Sequence, residues 1–516
     1  MKISARELLG ALLDPGSFVS WDRPPVAVAA SAGYREDLLA AAATAGTDEA
    51  VLTGEGLLRG RRVAVLACEF GFLAGSIGVA AAERIVSAVE RATELGLPLL
   101  ASPTSGGTRM QEGTVAFVQM VKVAGALAAH KAAGHPYLVY LRDPTMGGVF
   151  ASWGSLGHMT FAEPGALVGF LGPRVYKALY GKQFPEGVQT AENLYHNGVI
   201  DGVVPVPVFR RIAHRALTVL CDGPLPLPEK DGGSHRFDDG VGSFLAGAEE
   251  HPGPALLDTG DVDGWQSVLI SRRADRPGIR ELLRHTTDRV PLSGTGQGEL
   301  DRTVVHALAR FRGQPCIVFG HDRAGQSPEN TMGPAALREA RRSMHLAAEL
   351  HVPLVLVIDT AGAALSREAE ERGLAPEIAR CIADLVTLDT PTVSVLLGQG
   401  TGGGALALLP ADRVLAAANG WLAPLPPEGA SEIVYRDIGH APELAAAQRI
   451  RAQDLRADGI VDRIVPEYPD AADEPVDFAL RMVAAIADEL AGLTSRSAAD
   501  LPAARQLRYR RLGVGS

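Results

Sequence analysis

The chain has 516 residues, a formal net charge of −11 and a sequence pI near 5.7. That length exceeds one ordinary hydrophobic core, so two domains of roughly 220–250 residues are expected. The acidic balance excludes the concentrated basic face that a nucleic-acid partner needs.

Met1–Leu9 reads as an amphipathic helix with charges inside it, unlike a secretory signal. No uninterrupted apolar run approaches the ~20 residues of a bilayer crossing. The expected location is the cytoplasm, with no membrane partner. Cys68, Cys221, Cys316 and Cys381 lie far apart, with neither metal-ligand nor redox spacing, so buried thiols and no bound metal are expected.

A loop around Asp14–Trp21 and a turn at Thr53–Gly56 precede the strand Val63–Ala67, which begins an alternation of apolar strands and helices typical of an α/β domain. The helix over 79–95 turns Ile85, Val89 and Ala92 to one side and Arg84, Glu90, Arg91 and Glu94 elsewhere, as a helix packed on a sheet does. The apolar run Leu97–Ala101 then meets Ser105-Gly106-Gly107-Thr108-Arg109-Met110-Gln111-Glu112-Gly113. The strand Tyr137–Leu141 likewise meets Asp143-Pro144-Thr145-Met146-Gly147-Gly148-Val149, followed by a short helix through Trp153. Between Cys221 and Trp265 the pattern dissolves into Pro, Gly, Asp and Glu, which reads as a linker. The expected units are therefore an N-terminal domain over 1–221, a linker over 222–264 and a C-terminal domain over 265–516.

The second half repeats the first. Gly78 and Gly333, and Pro98 and Pro353, open and close matching helix-to-strand stretches at one offset of 255 residues. Gly198–Pro205 is echoed by Gly459–Pro466. The glycine turns return, altered, at Asp359-Thr360-Ala361-Gly362 and at Gly398-Gln399-Gly400-Thr401-Gly402-Gly403-Gly404-Ala405.

A strand running through paired glycines into a helix leaves backbone N–H groups able to hold an oxygen anion. One glycine pair alone is a tight turn; four in matching places point to two anion holes, suited to an enolate or tetrahedral oxyanion and to chemistry alpha to a thioester carbonyl. Gly398-x-Gly400-x-x-Gly403 matches a dinucleotide fingerprint but lacks the acid about twenty residues on that would hold a ribose. The serine-hydrolase elbow, the zinc-peptidase helix motif and the phosphate-binding P-loop are all missing. His158 and His321 receive no role. Glu112, Asp143 and Asp359 read as helix or turn caps, and Asp359 faces Thr104 in the repeat. Arg109 and the basic run Arg505–Arg511 are candidate cations for a phosphate-bearing cofactor.

Those glycine blocks, together with Ala162–Phe170 and Gly172-Pro173-Arg174, resemble the beta subunit of the acetyl-CoA carboxylase carboxyltransferase. The second half, with Ile358–Gly362, Gly402–Ala407, Pro427–Ala430 and the Arg-Tyr-Arg-Arg-Leu tail, resembles its alpha subunit, so the chain resembles a fused beta-alpha carboxyltransferase. The resemblance implies an α/β fold of two tandem crotonase-like ββα-superhelix domains. Their site would lie at the domain interface and be completed by pairing two copies, giving an expected homodimer. It implies transfer of a carboxyl group from carboxybiotin on a carrier protein to acetyl-CoA, giving malonyl-CoA for fatty acid biosynthesis. Biotin carboxylase and the biotin carboxyl carrier protein would be partners, and no cofactor would be bound by the chain itself.

The enolate oxygen would meet amides of Gly147 and Gly148, and biotin those of Gly404 and Ala405. Gly106, Gly107, Arg109, Gly362 and Gly403 would bind substrate. The family's beta subunit carries a four-cysteine zinc ribbon, whereas this chain has no cysteine before Cys68. The family's usual Asp-Thr-Pro-Gly-Ala-Tyr-Pro-Gly is here Asp359-Thr360-Ala361-Gly362-Ala363-Ala364-Leu365-Ser366, and its Gly-Glu-Gly is Gly398-Gln399-Gly400. A biotin-independent decarboxylase of a malonyl thioester and a non-catalytic CoA-binding carboxylase subunit remain the alternatives.

Overall fold

The structure, a computed structural model, describes residues 3–28, 30–170, 177, 181–227, 263–327 and 330–512. The expected linker falls mostly outside them, as do Gly172, Pro173 and Arg174. The first half opens with helix α1 (Ala5–Leu12), whose start is fixed by reciprocal hydrogen bonds between Ser4 and Glu7. Then come strand β1 (Val19–Ser20), helix α2 (Ala32–Ala45) and the antiparallel hairpin β2 (Val51–Leu58) and β3 (Arg61–Cys68). Helix α3 (Val79–Glu94) leads to β4 (Leu99–Ser102), and α4 (Gly113–Ala132) to β5 (Tyr137–Leu141). The short pair β6 (Thr145–Met146) and β8 (Val168–Gly169) flanks β7 (Met159–Ala162), and β9 (Gly202–Val203) and helix α5 (Val206–Cys221) close the half. Among the described residues the main sheet has the order β1-β2-β3-β4-β5-β7-β9, parallel from β3 onward.

The second half rebuilds this frame. Strands β10 (Thr287–Pro291), β11 (Val304–Phe311) and β12 (Gln314–His321) are antiparallel, and helix α6 (Pro334–Leu350) feeds β13 (Leu354–Thr360). Strand β14 (Thr392–Thr401) runs into the short helix α7 (Gly402–Leu406); β15 (Arg413–Ala417), β16 (Trp421–Ala423), helix α8 (Pro427–Tyr435), β17 (Arg463–Val465) and helices α9 (Pro475–Thr494) and α10 (Leu501–Arg510) complete it. Its order is β10-β11-β12-β13-β14-β15-β17, with β16 beside the end of β14 as β8 lies beside β6. The strands β4 and β5 begin at Leu99 and Tyr137, and β13 and β14 at Leu354 and Thr392, so the offset of 255 residues holds in the sheets as well. Two crotonase-like α/β halves in tandem result.

The halves share one interior. Phe209, Ala213, Ala216 and Leu217 of α5 pack with Leu308, Ile317 and Phe319 of the second sheet and Met344 of α6. Each of the Leu, Ile, Phe and Met side chains buried there contributes about 1.5–3 kcal/mol. Residues 222–227 lie along the second half's hairpin, with Leu225 N–H on Gly313 O at 3.3 Å and Gln314 Nε2 on Leu225 O at 2.7 Å. Two side-chain clasps reinforce the join: Arg342 of α6 meets both oxygens of Asp201 at 2.9 Å, and Glu349 meets Lys131 at 3.1 Å and His158 at 3.3 Å.

Two features differ from the pattern read in the sequence. Arg84, placed there off the packed side of α3, is buried because Asp48 at 2.9 Å and the carbonyls of Val51 and Arg23 satisfy its guanidinium. Met110–Ala132 is, among the described residues, long and apolar enough to cross a bilayer by length and composition alone. It packs on α3 and pairs Lys122 with Glu83, while Phe117 and Val121 stand 62% and 72% exposed.

Asp201 is buried, and beyond Arg342 it accepts the N–H of Thr160 at 2.9 Å and of Ser293 at 3.2 Å. Removing it strands a guanidinium between the halves. Asp201→Ala is expected to destabilise the fold by about 3 kcal/mol, read from the urea unfolding midpoint; an unchanged midpoint would show that this clasp carries no weight.

Candidate functional site

The site grows out of two strand ends in each half. After β4 the chain turns at Ser105, whose Oγ accepts the N–H of Gly107 at 3.0 Å and donates to Gly107 O at 3.2 Å. Gly106 N–H is taken by Ala74 O at 2.9 Å. The amides of Gly106 and Gly107, expected to touch substrate, are thus consumed in building the turn. Gly107 has φ +119°, where a side chain is strained. Its backbone lies against Gly147: a Cβ on Gly147 would stand 3.4 Å from Gly107 Cα.

Gly147 N–H continues the β6–β8 pairing, donating to Gly169 O at 3.1 Å. The next two amides are unbonded. The N–H groups of Gly148 and Val149 have no acceptor among the described residues. Gly148 is half-buried with Thr108 and Met120 behind it, each 3.4 Å from where a Cβ would be. The expected pair Gly147–Gly148 therefore shifts by one residue, because the first of the two belongs to the sheet.

The second half repeats the hydroxyl–glycine turn. Thr360 Oγ1 accepts Gly362 N–H at 3.1 Å and donates to Gly362 O at 3.1 Å, with Gly362 at φ +136°. Gly402 at φ +63° is the counterpart of Gly147 at φ +65°, so Gly403 matches Gly148. The first turn of α7 leaves the N–H groups of Gly402, Gly403 and Gly404 without helical acceptors, whereas Ala405 N–H is the first that reaches back to Thr401 O. Ala405 is also fully buried. Gly404 is held to glycine by contact, since a Cβ there would meet Met332 Sδ at 2.7 Å.

Beside the second turn lies a cleft of ≈ 1250 Å³ walled by Arg323–Gln326, Ala361–Ser366 and Gln399. All of its lining residues belong to the second half. Asp359, read in the sequence as a cap, is its strut: Oδ2 accepts Arg323 Nε at 2.9 Å and Oδ1 accepts Gln399 N–H at 3.1 Å. Gln399 Oε1 then accepts Arg272 Nε at 3.2 Å, and Arg272 pairs with Glu428 at 2.5 Å, which holds the Glu428 carboxyl below its usual range. Gly398 is needed where a Cβ would stand 2.5 Å from Asp359 Oδ1. Arg272 and Arg323 escaped the sequence reading because their partners are far away in the chain; the altered Gly398-Gln399-Gly400 was the one local sign.

Three of the expected cations are already paired within the chain. Arg109 is 1% exposed and bidentate on Glu49 at 2.5 and 3.0 Å. Arg505 is buried on Asp412 at 2.7 Å and Arg508 sits on Asp462 at 2.6 Å, so the basic tail clasps α10 to the second sheet. Of the two histidines nearest the turns, burial pushes His321 down to about 4, and its Nδ1 faces Asp359 N–H at 3.3 Å. Burial likewise lowers His158. Among the described residues no group of three or more His, Cys, Asp or Glu could hold a metal ion.

A carboxyl transferase domain model matches residues 2–498. The chain is 63% identical over 514 residues to a protein of Mycobacterium tuberculosis (strain ATCC 25618 / H37Rv) named probable biotin-dependent acyl-coenzyme A carboxylase beta3 subunit, covering 99% of each. It is 37% identical to the acetyl-coenzyme A carboxylase carboxyl transferase subunits beta/alpha of Salinispora arenicola, over 99% of this chain and 91% of that one. Its fold is similar to that of transcarboxylase 12S, solved with methylmalonyl-coenzyme A and methylmalonic acid bound, with TM-score 0.73 at 21% identity over 96% of this chain and 90% of that one.

The hydroxyl-locked turn makes a contrast between neighbours. A Cβ on Gly107 finds its nearest atom at 3.9 Å, so alanine there meets strain from φ +119° and no clash. Gly107→Ala is expected to cost about 1–3 kcal/mol, while Gly106→Ala, with 3.6 Å of room and an ordinary φ, stays near wild type; equal thermal midpoints for the two would contradict this.

Proposed function

Because the chain belongs to the carboxyl transferase family, we propose that it performs the transfer step of a biotin-dependent acyl-CoA carboxylase, with the anion-holding work done by main-chain amides. The observation that carries the reading is the doubled turn: one open amide site after β6 at Gly148 and Val149, and its counterpart at Gly403 and Gly404. Amides fixed before reaction stabilise a developing oxyanion without reorganising as charge appears. In the first half they would hold the thioester oxygen as the neighbouring carbon becomes nucleophilic. In the second they would face the urea carbonyl of the donor. The second-half cleft, ≈ 1250 Å³, has the small residues Ala361, Gly362, Ala363 and Ala364 on one side and charged groups such as Arg272, Arg323 and Asp359 on others, which gives room and hydrogen-bonding groups for a bicyclic urea. When bound, carrier-borne biotin supplies the carboxyl group and afterwards a nitrogen able to take a proton, which suits a site whose buried histidines are neutral.

The finer assignment is acetyl-CoA as acceptor and malonyl-CoA as product, supported by the beta/alpha relative; the mycobacterial relative's name specifies an acyl-CoA without a chain length. A carrier subunit and a biotin carboxylase would be the partners, in the cytoplasm.

We further propose that two copies pair, as the expected homodimer. The cleft of one chain draws no wall from its own first half, so the two turns of a single chain do not share it. Apolar side chains stand bare beside both turns: Phe117 and Val121 on α4, and Ile433, Val434 and Ile438 at α8. Pairing would cover both faces and set one copy's first turn against the other's second. The related transcarboxylase 12S is described as a hexamer.

With biotinylated carrier, biotin carboxylase, ATP and labelled bicarbonate, the chain is expected to carboxylate acetyl-CoA, with propionyl- and longer acyl-CoAs run in parallel. Gly148→Pro, which deletes one donor, should lower kcat about 100-fold. Carrier-independent CO2 release from a malonyl thioester would instead establish a decarboxylase. Phe117→Glu with Val121→Glu should convert the assembly to smaller species in light scattering; an unchanged mass would remove α4 from the interface.

A further inference from the structure

Behind the first-half turn lies a buried cluster that the reaction chemistry leaves unused. Arg109 follows Gly106-Gly107-Thr108 and is enclosed. Its Nη1 and Nη2 reach Glu49 at 3.0 and 2.5 Å, Nη2 reaches Ser76 O at 2.7 Å, and Phe72 lies 5.3 Å beneath the guanidinium. Glu112, 3.7 Å from Arg109, accepts the Tyr34 hydroxyl at 2.6 Å and Val79 N–H at 2.6 Å. Four segments separated by 33 to 78 residues thus converge on one turn.

Burying a guanidinium and two carboxylates is a poor route to stability, since well-packed apolar groups do as well or better. The duplicated fold supplies an internal control. The second half forms the same hydroxyl-locked turn, with Gly362 N–H on Thr360 Oγ1 at 3.1 Å, without this cluster. Ala364 stands in place of Arg109 and exposed Arg367 in place of Glu112, while Arg302, two residues before β11, replaces Glu49, two residues before β2. The turn therefore folds without the ion cluster. The backbone bridge behind the turn, with Arg109 N–H on Ile77 O and Ile77 N–H on Gly107 O at 3.0 Å, recurs in the second half as Ala364 N–H on Met332 O at 2.8 Å. What the cluster adds is therefore side-chain anchoring: Arg109, clamped by Glu49 and the carbonyl of Ser76, adjoins Thr108, whose Oγ1 stands 3.4 Å from the Cβ position of Gly148. Ala74, at φ +55°, carries the carbonyl that holds the N–H of Gly106.

We infer that Arg109, held by Glu49, is a positioning residue that fixes the open amide of Gly148 against the acyl-CoA thioester oxygen, so that the first anion site is rigid where its second-half counterpart is not braced in this way. The inference rests on the carboxyl-transfer reading. Arg109 touches no substrate in it; it acts through the Thr108 segment.

The test replaces the cluster by apolar groups. Arg109→Met with Glu49→Leu removes the buried ion pair together and leaves Glu112 on its Tyr34 and Val79 donors, and Glu49→Gln serves as the milder variant. Each is assayed within the assembled carboxylase for kcat and KM with acyl-CoA, for carrier-side CO2 release without acyl-CoA, and for thermal midpoint. The expected result is a midpoint near wild type for the double variant, a kcat lower by about 10- to 100-fold, a KM within about twofold, and carrier-side release unchanged. A purely structural cluster would give the opposite pattern: wild-type kcat in the well-folded double variant, or losses in both partial reactions together, and either overturns the inference. A wild-type chain that transfers no carboxyl group to any acyl-CoA overturns the functional reading itself, and is separated from the first case by that control.

Discussion

The structure depends on one small lock: a hydroxyl two residues before a glycine, accepting its N–H and donating to its carbonyl. Ser105 and Gly107 make it, and Thr360 and Gly362 make it again. The lock fixes where a parallel strand stops and how the next segment approaches, and the glycine is required by φ rather than by lack of room. Around it the neighbouring strand end bends at Gly147 or Gly402, and one or two amides beyond the bend are left open. Chemistry made from peptide groups needs such a frame, because a peptide N–H has no side chain with which to adjust its aim.

Duplication provides the frame twice, and the two copies are finished differently. The first copy fills the space behind its turn with Arg109, Glu49, Glu112 and Tyr34. The second leaves a cleft there and braces the far wall with Asp359, Arg323, Gln399 and Arg272. Thr104 stands where Asp359 does, so the strut has no first-half partner. One fold thus presents the same turn twice, once backed by its own core and once beside an open cleft. The continuous core through α5 and α6, with Arg342 on Asp201, keeps the two frames in one body.

The sequence carried the fold because its signals are local and periodic. The offset of 255 residues between helix starts, strand starts and glycine turns is visible to the eye, and the strand Tyr137–Leu141 stands where its apolar run placed it. The turns themselves were legible for the same reason: the positive-φ backbone at Gly107, Gly147, Gly362 and Gly402 favours glycine, so the chain marks them in its sequence. The family resemblance rested on those same blocks.

Which amides remain open was decided by tertiary structure alone. Gly147 gives its N–H to Gly169, Gly106 to Ala74, and Ala405 sits one residue too deep in α7, and none of these partners can be read from a motif. The same holds for charge. Arg109, Arg505 and Arg508 look in sequence like cations awaiting an anion, yet each is already neutralised by Glu49, Asp412 or Asp462 from 46 to 93 residues away. Sequence fixes what a residue is able to donate or accept; only the folded chain, by bringing distant groups within three ångströms, decides whether anything is left to offer a ligand.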